Sequence, residues 1–375
     1  MEGYWKDTHV TFELSDLSSS AFATLGLADC NDVIGLGSNS GLRECILLID
    51  GLGKNAIDGF ASRYSNLSSL EYHSTLGATF PSTTATSLTS LGTGKCAGEH
   101  GMVGYTMRVP HSGQPERILN ALKWDDRVDP QVWQPHETLF ERGSRKGINV
   151  TSISGKRYEK TGFTQAALRG GTYRGANTID EILSETITAL KKERSFAYVY
   201  LNDVDEASHH EGFGSEKFLT ALTKVDLLID RLVHSLPQGT RLWVTADHGM
   251  VNRGSYVVIG KGNNLLDGVD LMAGEPRARY LYVAPERVDE VKSRWQELLG
   301  NQVTIYTRAE AIAAGLFGIK VDDRVMERIG DLIVIANEDF ILVEMEREEL
   351  QIAMVGHHGG LTPAEREIPL LLASI

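Results

Sequence analysis

The chain has 375 residues, of which 42% are hydrophobic and 23% are charged, an ordinary composition for a globular protein. Its formal net charge of −13 argues against a protein that binds a nucleic acid polymer or an anionic membrane surface. The length predicts one large α/β domain that carries a smaller inserted lobe.

The cysteines and the apolar stretches bear on the compartment. Three cysteines without a CxxC pair favour a reducing environment and no disulfide framework. The first residues lack the basic and apolar regions of a secretory signal. No apolar stretch approaches the ~20 residues needed to span a bilayer. We therefore expect a cytoplasmic protein.

The first part of the chain predicts an edge strand, a core strand and a helix start. Alternation from His9 to Phe12 is typical of an edge strand, and the apolar run at residues 44–49 predicts the first core strand. The Thr/Ser-rich segment 79–90 contains Pro81 near its start, which suits a turn into a helix N-terminus. One helix is expected over residues 129–147, followed by a strand over 149–154.

The middle of the chain alternates helical and apolar segments. Residues 178–193 and 217–236 have helical periodicity, and the apolar runs 196–201 and 241–246 predict buried strands. This order predicts an α/β fold with a doubly wound, mostly parallel sheet and helices on both of its faces.

A small inserted α/β lobe is expected over residues 264–325. In that part of the chain, residues 277–283 and 302–306 look like strands around a helix at 286–299. Strands near 331–336 and 340–344 follow. Pro363 then predicts a helical turn before the last strand.

Three predicted strands end on aspartate. The first runs into Asp50, the second into Asp203 and Asp205, and the third into Asp247 and His248. Open α/β sheets bind ligands beyond the carboxyl ends of their strands, and Asp and His are ligands of divalent metals. The three strand ends therefore predict a metal site.

Two further histidines extend this set. Asp205 and His209 are four residues apart, so on a helix they share one face, and His358 lies between small residues near the end of the chain. Six side chains exceed the needs of one tetrahedral ion and suit two ions roughly 4 Å apart. Mixed carboxylate and imidazole ligands fit zinc best, with manganese as the alternative. Locally, the choice between His357 and His358 stays open.

Two ions at this spacing can bind the attacking and the leaving oxygen in phosphoryl transfer, and a hydrolase that acts in this way also needs a nucleophile. The Thr/Ser-rich segment offers five hydroxyl groups, on Ser82, Thr83, Thr84, Thr86 and Ser87. A hydroxyl at a helix N-terminus beside a cation would be activated, whereas most such residues are helix caps. The local sequence does not choose among the five.

The motifs, taken in order, resemble those of the alkaline phosphatase superfamily, and most closely its type I phosphodiesterase/nucleotide pyrophosphatase family. They are Asp50-Gly51, Phe80-Pro81-Ser82-Thr83-Thr84, Thr93-Gly94 with His100-Gly101, Asp205-x-x-x-His209, Asp247-His248-Gly249-Met250 and Gly356-His357-His358-Gly359. The resemblance implies an alkaline-phosphatase-like catalytic domain over residues 1–375, with the lobe at 264–325 inside it.

The resemblance also implies roles for single residues. Thr84 would be the nucleophile. One metal ion would be held by Asp50, Asp247 and His248 together with the Thr84 oxygen, and the second by Asp205, His209 and His358. His210 and His357 would then be neighbours of the site without being ligands.

One position departs from the family pattern. Nucleotide pyrophosphatases of the eukaryotic type place an asparagine that binds a phosphoryl oxygen shortly after the His-Gly pair, and Tyr105 stands there in this chain. Either Tyr105 binds the substrate through its hydroxyl group, or another residue such as Asn120 does so. The aromatic pair that those enzymes place around the base has only Phe163 and Tyr173 as candidates.

These observations favour a hydrolase of phosphodiester or nucleotide pyrophosphate bonds that acts on a small phosphate ester through a phosphothreonine intermediate. The alternatives within the superfamily are a phosphomonoesterase, a phosphonate hydrolase and a phosphomutase. The alternative of another class is a non-catalytic metal- or nucleotide-binding protein. The sequence leaves the oligomeric state open.

Overall fold

A computed structural model describes residues 10–39, 42–114, 116–344 and 348–375. His9, the first residue of the predicted edge strand, lies outside these residues. Among the described residues, no helix is both long enough and apolar enough to cross a membrane.

Strands account for much of the described chain. Their bounds are β1 (Phe12–Glu13), β2 (Arg43–Ile49), β3 (Glu71–Gly77), β4 (Thr106–Val109), β5 (Arg117–Asn120), β6 (Asn149–Ser154), β7 (Thr172–Gly175), β8 (Ser195–Leu201), β9 (Thr240–Thr245), β10 (Val251–Asn252), β11 (Tyr256–Ile259), β12 (Leu271–Glu275), β13 (Ala278–Tyr282), β14 (Val303–Thr307), β15 (Leu332–Ala336), β16 (Ile341–Glu344), β17 (Gly356–His357) and β18 (Glu367–Ser374).

Helices lie between most of these strands. Their bounds are α1 (Leu14–Thr24), α2 (Lys54–Phe60), α3 (Ser65–Ser69), α4 (Thr84–Thr93), α5 (Ala97–His100), α6 (Pro130–Trp133), α7 (Leu139–Arg145), α8 (Gly162–Ala167), α9 (Ile179–Ala189), α10 (Asp203–Glu211), α11 (Glu216–Ser235), α12 (Val288–Leu299), α13 (Arg308–Ala313), α14 (Asp323–Met326), α15 (Glu349–Ala353) and α16 (Pro363–Arg366).

The central sheet has eight strands in the order β1-β3-β18-β9-β2-β8-β6-β7. All neighbouring pairs are parallel except those that involve β18, which runs antiparallel to both β3 and β9. This confirms the predicted α/β fold with a mostly parallel sheet.

The middle of the sheet fixes where the site lies. Strand β2 pairs in parallel with β9 on one side and β8 on the other, so the carboxyl ends of all three meet at one edge. All six residues of β9 are buried, as are six of the seven in β2. Strands buried on both faces read as continuous apolar runs, which is why the sequence located them.

A second sheet is antiparallel and has the order β12-β13-β15-β14. It packs with α12 around an apolar cluster centred on Trp295, Leu281 and Val334. The inserted lobe stays a proposal, and we note that β15 lies beyond the range 264–325 in which we expected it.

Most of the predicted elements occur within a few residues of their expected bounds, and one does not. The single helix expected over residues 129–147 is wrong, because the structure has the two short helices α6 and α7 there. Pro135 lies between them and disfavours helical geometry at Gln134. Thr138 then starts α7 as an N-cap whose side chain accepts a hydrogen bond from the Glu141 amide, in a capping box.

Candidate metal centre and active site

Asp50, Asp247 and Asp205 follow the ends of β2, β9 and β8 and converge at the central edge of the sheet. The amide of Gly51 donates to Asp247 Oδ1 at 3.2 Å, so the turn after β2 contacts the turn after β9. Gly51 has φ +74°, and a Cβ atom there would lie 3.0 Å from the Asp205 Cα. The turn after Asp50 therefore needs glycine both for its conformation and for its closeness to α10.

The first group of candidate ligands is Asp50, Asp247 and His248. One ligand atom from each of these buried residues lies within 4.8 Å of the others. His248 Nε2 is 3.3 Å from Asp50 Oδ1 and 3.6 Å from Asp247 Oδ2. This cluster sits directly at the ends of the two adjacent strands β2 and β9.

The second group is Asp205, His209 and His358. Helix α10 places Asp205 and His209 one turn apart, with His209 Nε2 3.3 Å from Asp205 Oδ1. His358 follows β17, and its Nε2 lies 3.8 Å from the same carboxylate oxygen. The rings of His248 and His358 are stacked with centroids 3.6 Å apart, so the two groups adjoin.

All three imidazoles turn the same ring nitrogen towards the protein. His209 Nδ1 lies 2.8 Å from the Gly356 carbonyl oxygen, His358 Nδ1 lies 2.9 Å from that of Ser82, and His248 Nδ1 lies 3.0 Å from that of Gly249. A carbonyl oxygen only accepts, so each Nδ1 carries the hydrogen and donates. When the rings are neutral, each Nε2 presents a lone pair to the cluster, as metal-ligating histidines do.

The carboxylates lack the partners that buried charges require. Asp50 Oδ1, Asp205 Oδ1 and Asp247 Oδ2 are buried and have no hydrogen-bond partner. Burial and the nearby charge of Asp50 raise the pKa of both Asp205 and Asp247 well above the usual range. Unpaired carboxylates this close are costly unless a cation lies among them, so the donor set fits divalent metal ions.

The charges around His248 oppose the effect of burial on its pKa. Burial alone would lower that pKa, but Asp247, Asp50 and Asp205 together raise it to about 10. For His358, burial and the neighbouring His248 lower the pKa well below its usual value. His248 is therefore surrounded by acidic side chains, whose negative charge a bound cation would neutralise.

Thr84 is the first residue of α4, and its hydroxyl group faces the first ligand group. Thr84 Oγ1 lies 3.2 Å from His248 Nε2 and 3.5 Å from Asp50 Oδ2. The position at a helix N-terminus adds a partial positive charge that favours an anion such as a phosphate.

The other four candidate hydroxyl groups have different surroundings. Ser82 Oγ donates to the Gly360 carbonyl at 2.8 Å, and the Thr83 hydroxyl bonds to the Glu275 carboxyl group. Thr86 and Ser87 are buried, and their hydroxyl groups have no hydrogen-bond partner. Among the five, the geometry favours Thr84.

Two cavities meet at Thr84. The first is lined by Asp50, Asp205 and Thr84 together with side chains that include Tyr158, Phe163 and Tyr173. Both Phe163 and Tyr173, the two aromatic candidates from the sequence, therefore face the same space as Thr84.

The second cavity shares Thr84 and Asp205 with the first. Its lining includes Tyr105, Glu275, His209 and His358. Tyr105 thus reaches the cleft, as one of the two sequence hypotheses requires. Asn120 instead caps a turn, since its Oδ1 accepts from the amides of Leu122 and Lys123.

The two histidines expected to be neighbours lie outside both ligand groups. His210 is exposed on α10. His357 is buried with its Nε2 3.3 Å from the Met354 carbonyl oxygen, and burial lowers its pKa to about 3.

Sequence reasoning missed two residues of this site. The Tyr200 hydroxyl group donates to Asp50 Oδ2, and Glu275 lines the second cavity with its Oε1 buried and unpartnered. Tyr200 stands in β8 just before the Asp203–Asp205 segment, so its closeness to a strand end was a usable signal. Glu275 comes from the second sheet, and no local pattern in the sequence links it to Thr84.

Comparison with known proteins identifies the family. Residues 45–361 match the family model described as type I phosphodiesterase / nucleotide pyrophosphatase. None of the curated protein sequences compared with this chain matches it.

Solved structures share the fold. The murine ectonucleotide pyrophosphatase / phosphodiesterase 5, an inactive form in complex with AMP, is 14% identical with a TM-score of 0.68 over 88% of this chain and 87% of its own. The human ectonucleotide pyrophosphatase / phosphodiesterase 5 is 15% identical, with a TM-score of 0.66 over 88% and 87%. Phosphonoacetate hydrolase from Sinorhizobium meliloti, in complex with phosphonoformate, is 16% identical, with a TM-score of 0.66 over 89% and 90%.

The family model covers most of the chain, and the structures of two enzyme types from the alkaline phosphatase superfamily share its fold. The family is metal-dependent, and the buried Asp/His cluster of this chain could hold metal ions. The chain belongs to the type I phosphodiesterase / nucleotide pyrophosphatase family of the alkaline phosphatase superfamily and is a phosphoric ester hydrolase.

Proposed function

We propose that this protein is a two-metal-dependent hydrolase of phosphodiester or nucleotide pyrophosphate bonds, with Thr84 as its nucleophile. The observation that carries the proposal is the position of the Thr84 hydroxyl group. It lies at the start of α4, in contact with Asp50 and His248 and in the space where two cavities meet. A substrate phosphorus in that space would have the nucleophile and both ligand groups beside it.

In this proposal each ligand group holds one ion. Asp50, Asp247 and His248, with the Thr84 oxygen, would hold the first, and Asp205, His209 and His358 the second. The unpartnered carboxylate oxygens and the orientation of the three imidazoles support this assignment. The mixed oxygen and nitrogen donors favour zinc, with manganese as the alternative. The cytoplasmic location expected from the sequence stays a prediction.

Bound cations would supply charge stabilisation of the phosphoryl oxygens and a lower pKa for the Thr84 hydroxyl group. The Thr84 oxygen would then form a bond to phosphorus while the bond from phosphorus to the leaving oxygen breaks. A proton from solvent goes to that leaving oxygen. Water afterwards cleaves the phosphothreonine, which returns the Thr84 hydroxyl group and releases the phosphate product.

The chain's own residues would mainly position these groups. Tyr200 donates to Asp50 and so fixes the orientation of that carboxylate. Tyr105 lines the second cavity, where its hydroxyl group is a candidate donor to a phosphoryl oxygen. The side chains of Phe163 and Tyr173 offer an apolar wall for a substituent of the phosphate.

A phosphonate hydrolase is the second candidate, because a phosphonoacetate hydrolase shares the fold with a TM-score of 0.66. The relative in complex with AMP supports the first candidate. Among the described residues that line the two cavities there is no lysine or arginine to bind the carboxylate of phosphonoacetate. This favours the phosphodiesterase. Family membership opposes the non-catalytic alternative.

Turnover of bis(4-nitrophenyl) phosphate, 4-nitrophenyl phosphate and phosphonoacetate by the metal-loaded protein tests this function. We expect the diester to have the highest kcat/KM, because Thr84 lines two cavities that can each accept one substituent of the phosphate. A large preference for the monoester would replace the proposal with a phosphomonoesterase. A preference for phosphonoacetate would replace it with a phosphonate hydrolase.

A further inference from the structure

Glu275 is a buried acid on the wall of the cleft that has no place in the proposed chemistry. Only 4% of its surface is exposed, and Oε1 has no hydrogen-bond partner. It lines the same cavity as Thr84 and Tyr105. A buried polar atom without a partner is unfavourable, and a substrate bound in the adjoining cavity can supply the partner that Oε1 lacks.

The surrounding contacts hold Glu275 in place. It ends β12, and the turn after it contains Arg277, whose guanidinium forms a fully buried ion pair with Glu365 at 2.8 Å. Glu365 Oε1 in turn accepts from the Gly360 amide, two residues after His358. The second sheet is thereby attached to the loop that carries a candidate metal ligand, and Glu275 has a fixed position relative to the site.

The neighbouring loop leaves room for the Glu275 carboxyl group. Gly359 has φ +123°, and a Cβ atom there would lie 2.7 Å from the Glu275 Cδ. The Thr83 hydroxyl group bonds to the same carboxyl group. The carboxyl group therefore has one partner from the chain and one oxygen, Oε1, without a partner.

Metal binding does not explain Glu275. The two groups of candidate ligands among the described residues are complete without it. A phosphoryl oxygen of a diester carries no hydrogen, so it cannot be the donor to an acceptor oxygen of Glu275. Glu348, which lines the same cavity, already pairs with Arg279, and no described lysine or arginine lines that cavity. The wall therefore suits a hydrogen-bond donor and disfavours a second anion.

We propose that Glu275 determines substrate specificity by accepting a hydrogen bond from a hydroxyl or ammonium group on one substituent of a phosphodiester. The proposal rests on the phosphodiesterase function proposed above and deepens it. In this proposal the second cavity binds a substituent that is polar and is either uncharged or cationic. The proposal also narrows the proposed function to phosphodiesters, because it predicts that a substrate with a second phosphate, such as a nucleoside diphosphate, is hydrolysed poorly.

Matched esters of 4-nitrophenyl phosphate test the contact. In the first set, the second ester group is ethyl or propyl. In the second set the same group carries a terminal hydroxyl group, and in the third set it carries a terminal amino group. We expect kcat/KM to be roughly tenfold or more higher for one polar set than for the alkyl set, because the polar ester makes one hydrogen bond to Glu275 that the alkyl ester lacks. The hydroxyl and amino sets show which donor is preferred.

Two variants locate the effect. Glu275→Ala is expected to remove the preference while kcat/KM for the alkyl esters stays within about threefold. Glu275→Gln keeps an acceptor oxygen, so a hydroxyl preference should survive in it and an ammonium preference should fall. Melting temperature and metal content of both variants report on folding.

The outcomes separate this proposal from the proposed function. If bis(4-nitrophenyl) phosphate is hydrolysed but wild type shows no preference, or Glu275→Ala lowers kcat/KM equally for all esters, the Glu275 proposal is wrong. Efficient hydrolysis of a nucleoside diphosphate would contradict the predicted charge selectivity. If no diester is hydrolysed at all, the proposed function itself fails.

Discussion

At the scale of single residues, Thr84 differs from the hydroxyl residues around it in what its side chain contacts. Ser82 and Thr83 bond to Gly360 and Glu275, whereas Thr84 faces Asp50 and His248. These partners come from distant parts of the chain. For that reason the local sequence could not choose among the hydroxyl groups, and only the resemblance singled out Thr84.

Thr84→Ala should lower kcat by at least about 10³-fold, because removal of a nucleophile leaves only the contribution of binding and charge stabilisation. Thr86→Ala is the matched control, since Thr86 lies on the same helix, is equally a buried threonine and lines neither cavity. Steady-state turnover of bis(4-nitrophenyl) phosphate measures both. A Thr84→Ala variant with wild-type kcat would rule out Thr84 as nucleophile.

The proximity of five of the six candidate ligands could be predicted because each lies just after a predicted strand or on one helix face, whereas His358 was singled out only by the resemblance. Parallel strands bring their carboxyl ends to one edge, so sequence position alone places Asp50, Asp205 and Asp247 together. Glu275 could not be predicted in this way. It enters the cleft through the packing of the second sheet on the first, which leaves no periodic signal in the sequence.

At the scale of elements, the turn that follows β2 determines how closely β2 and α10 approach each other. Gly51 has a positive φ, and the space beside its Cα is filled by Asp205. Gly35 has a similar φ of +82° but open space around it. This pair of glycines allows backbone strain to be separated from crowding at the site.

Gly35→Ala should therefore destabilise the protein by about 1–2 kcal/mol through backbone strain alone, and leave turnover unchanged. Gly51→Ala should cost more and should also lower turnover, because the added Cβ pushes Asp205 away from its group. Urea unfolding and diester hydrolysis measure the two effects. Equal effects of both substitutions on turnover would mean that the close approach at Gly51 has no role in the site.

The helices illustrate what sequence patterns determine at this scale. Long amphipathic segments such as α11 could be predicted because their apolar face repeats over several turns. The segment 129–147 could not, because α6 and α7 are each too short to show a period. There the turn chemistry of Pro135 and the N-cap Thr138 outweighs the apparent continuity of the pattern.

At the scale of the whole molecule, the proposed ions would join segments that are far apart in the sequence. The ligand groups draw on residues 50, 205–209, 247–248 and 358, so bound ions would cross-link the sheet, α10 and the loop after β17. Without ions, the buried carboxylates repel one another. The stability of the protein should therefore depend on metal.

Chelation with EDTA should lower the melting temperature by several degrees, since an ion at 100 times its Kd stabilises by roughly 2.7 kcal/mol. Zinc or manganese should restore both stability and activity.

Asp247→Asn should have a reduced metal content by elemental analysis. The control is Asp203→Asn, because the Asp203 side chain pairs with Lys224 at the surface. This variant should keep the metal content of the wild type. Unchanged content in Asp247→Asn would remove Asp247 from the ligand set.

The central claim is that Thr84 accepts a phosphoryl group during turnover. The most direct measurement is mass spectrometry of peptides from metal-loaded protein that is quenched with acid during hydrolysis of a slow phosphodiester. The account predicts a phosphate ester on Thr84, and none in protein treated with EDTA. Modification of Ser82 or Thr83 instead, or turnover with no modified residue at any quench time, would contradict it.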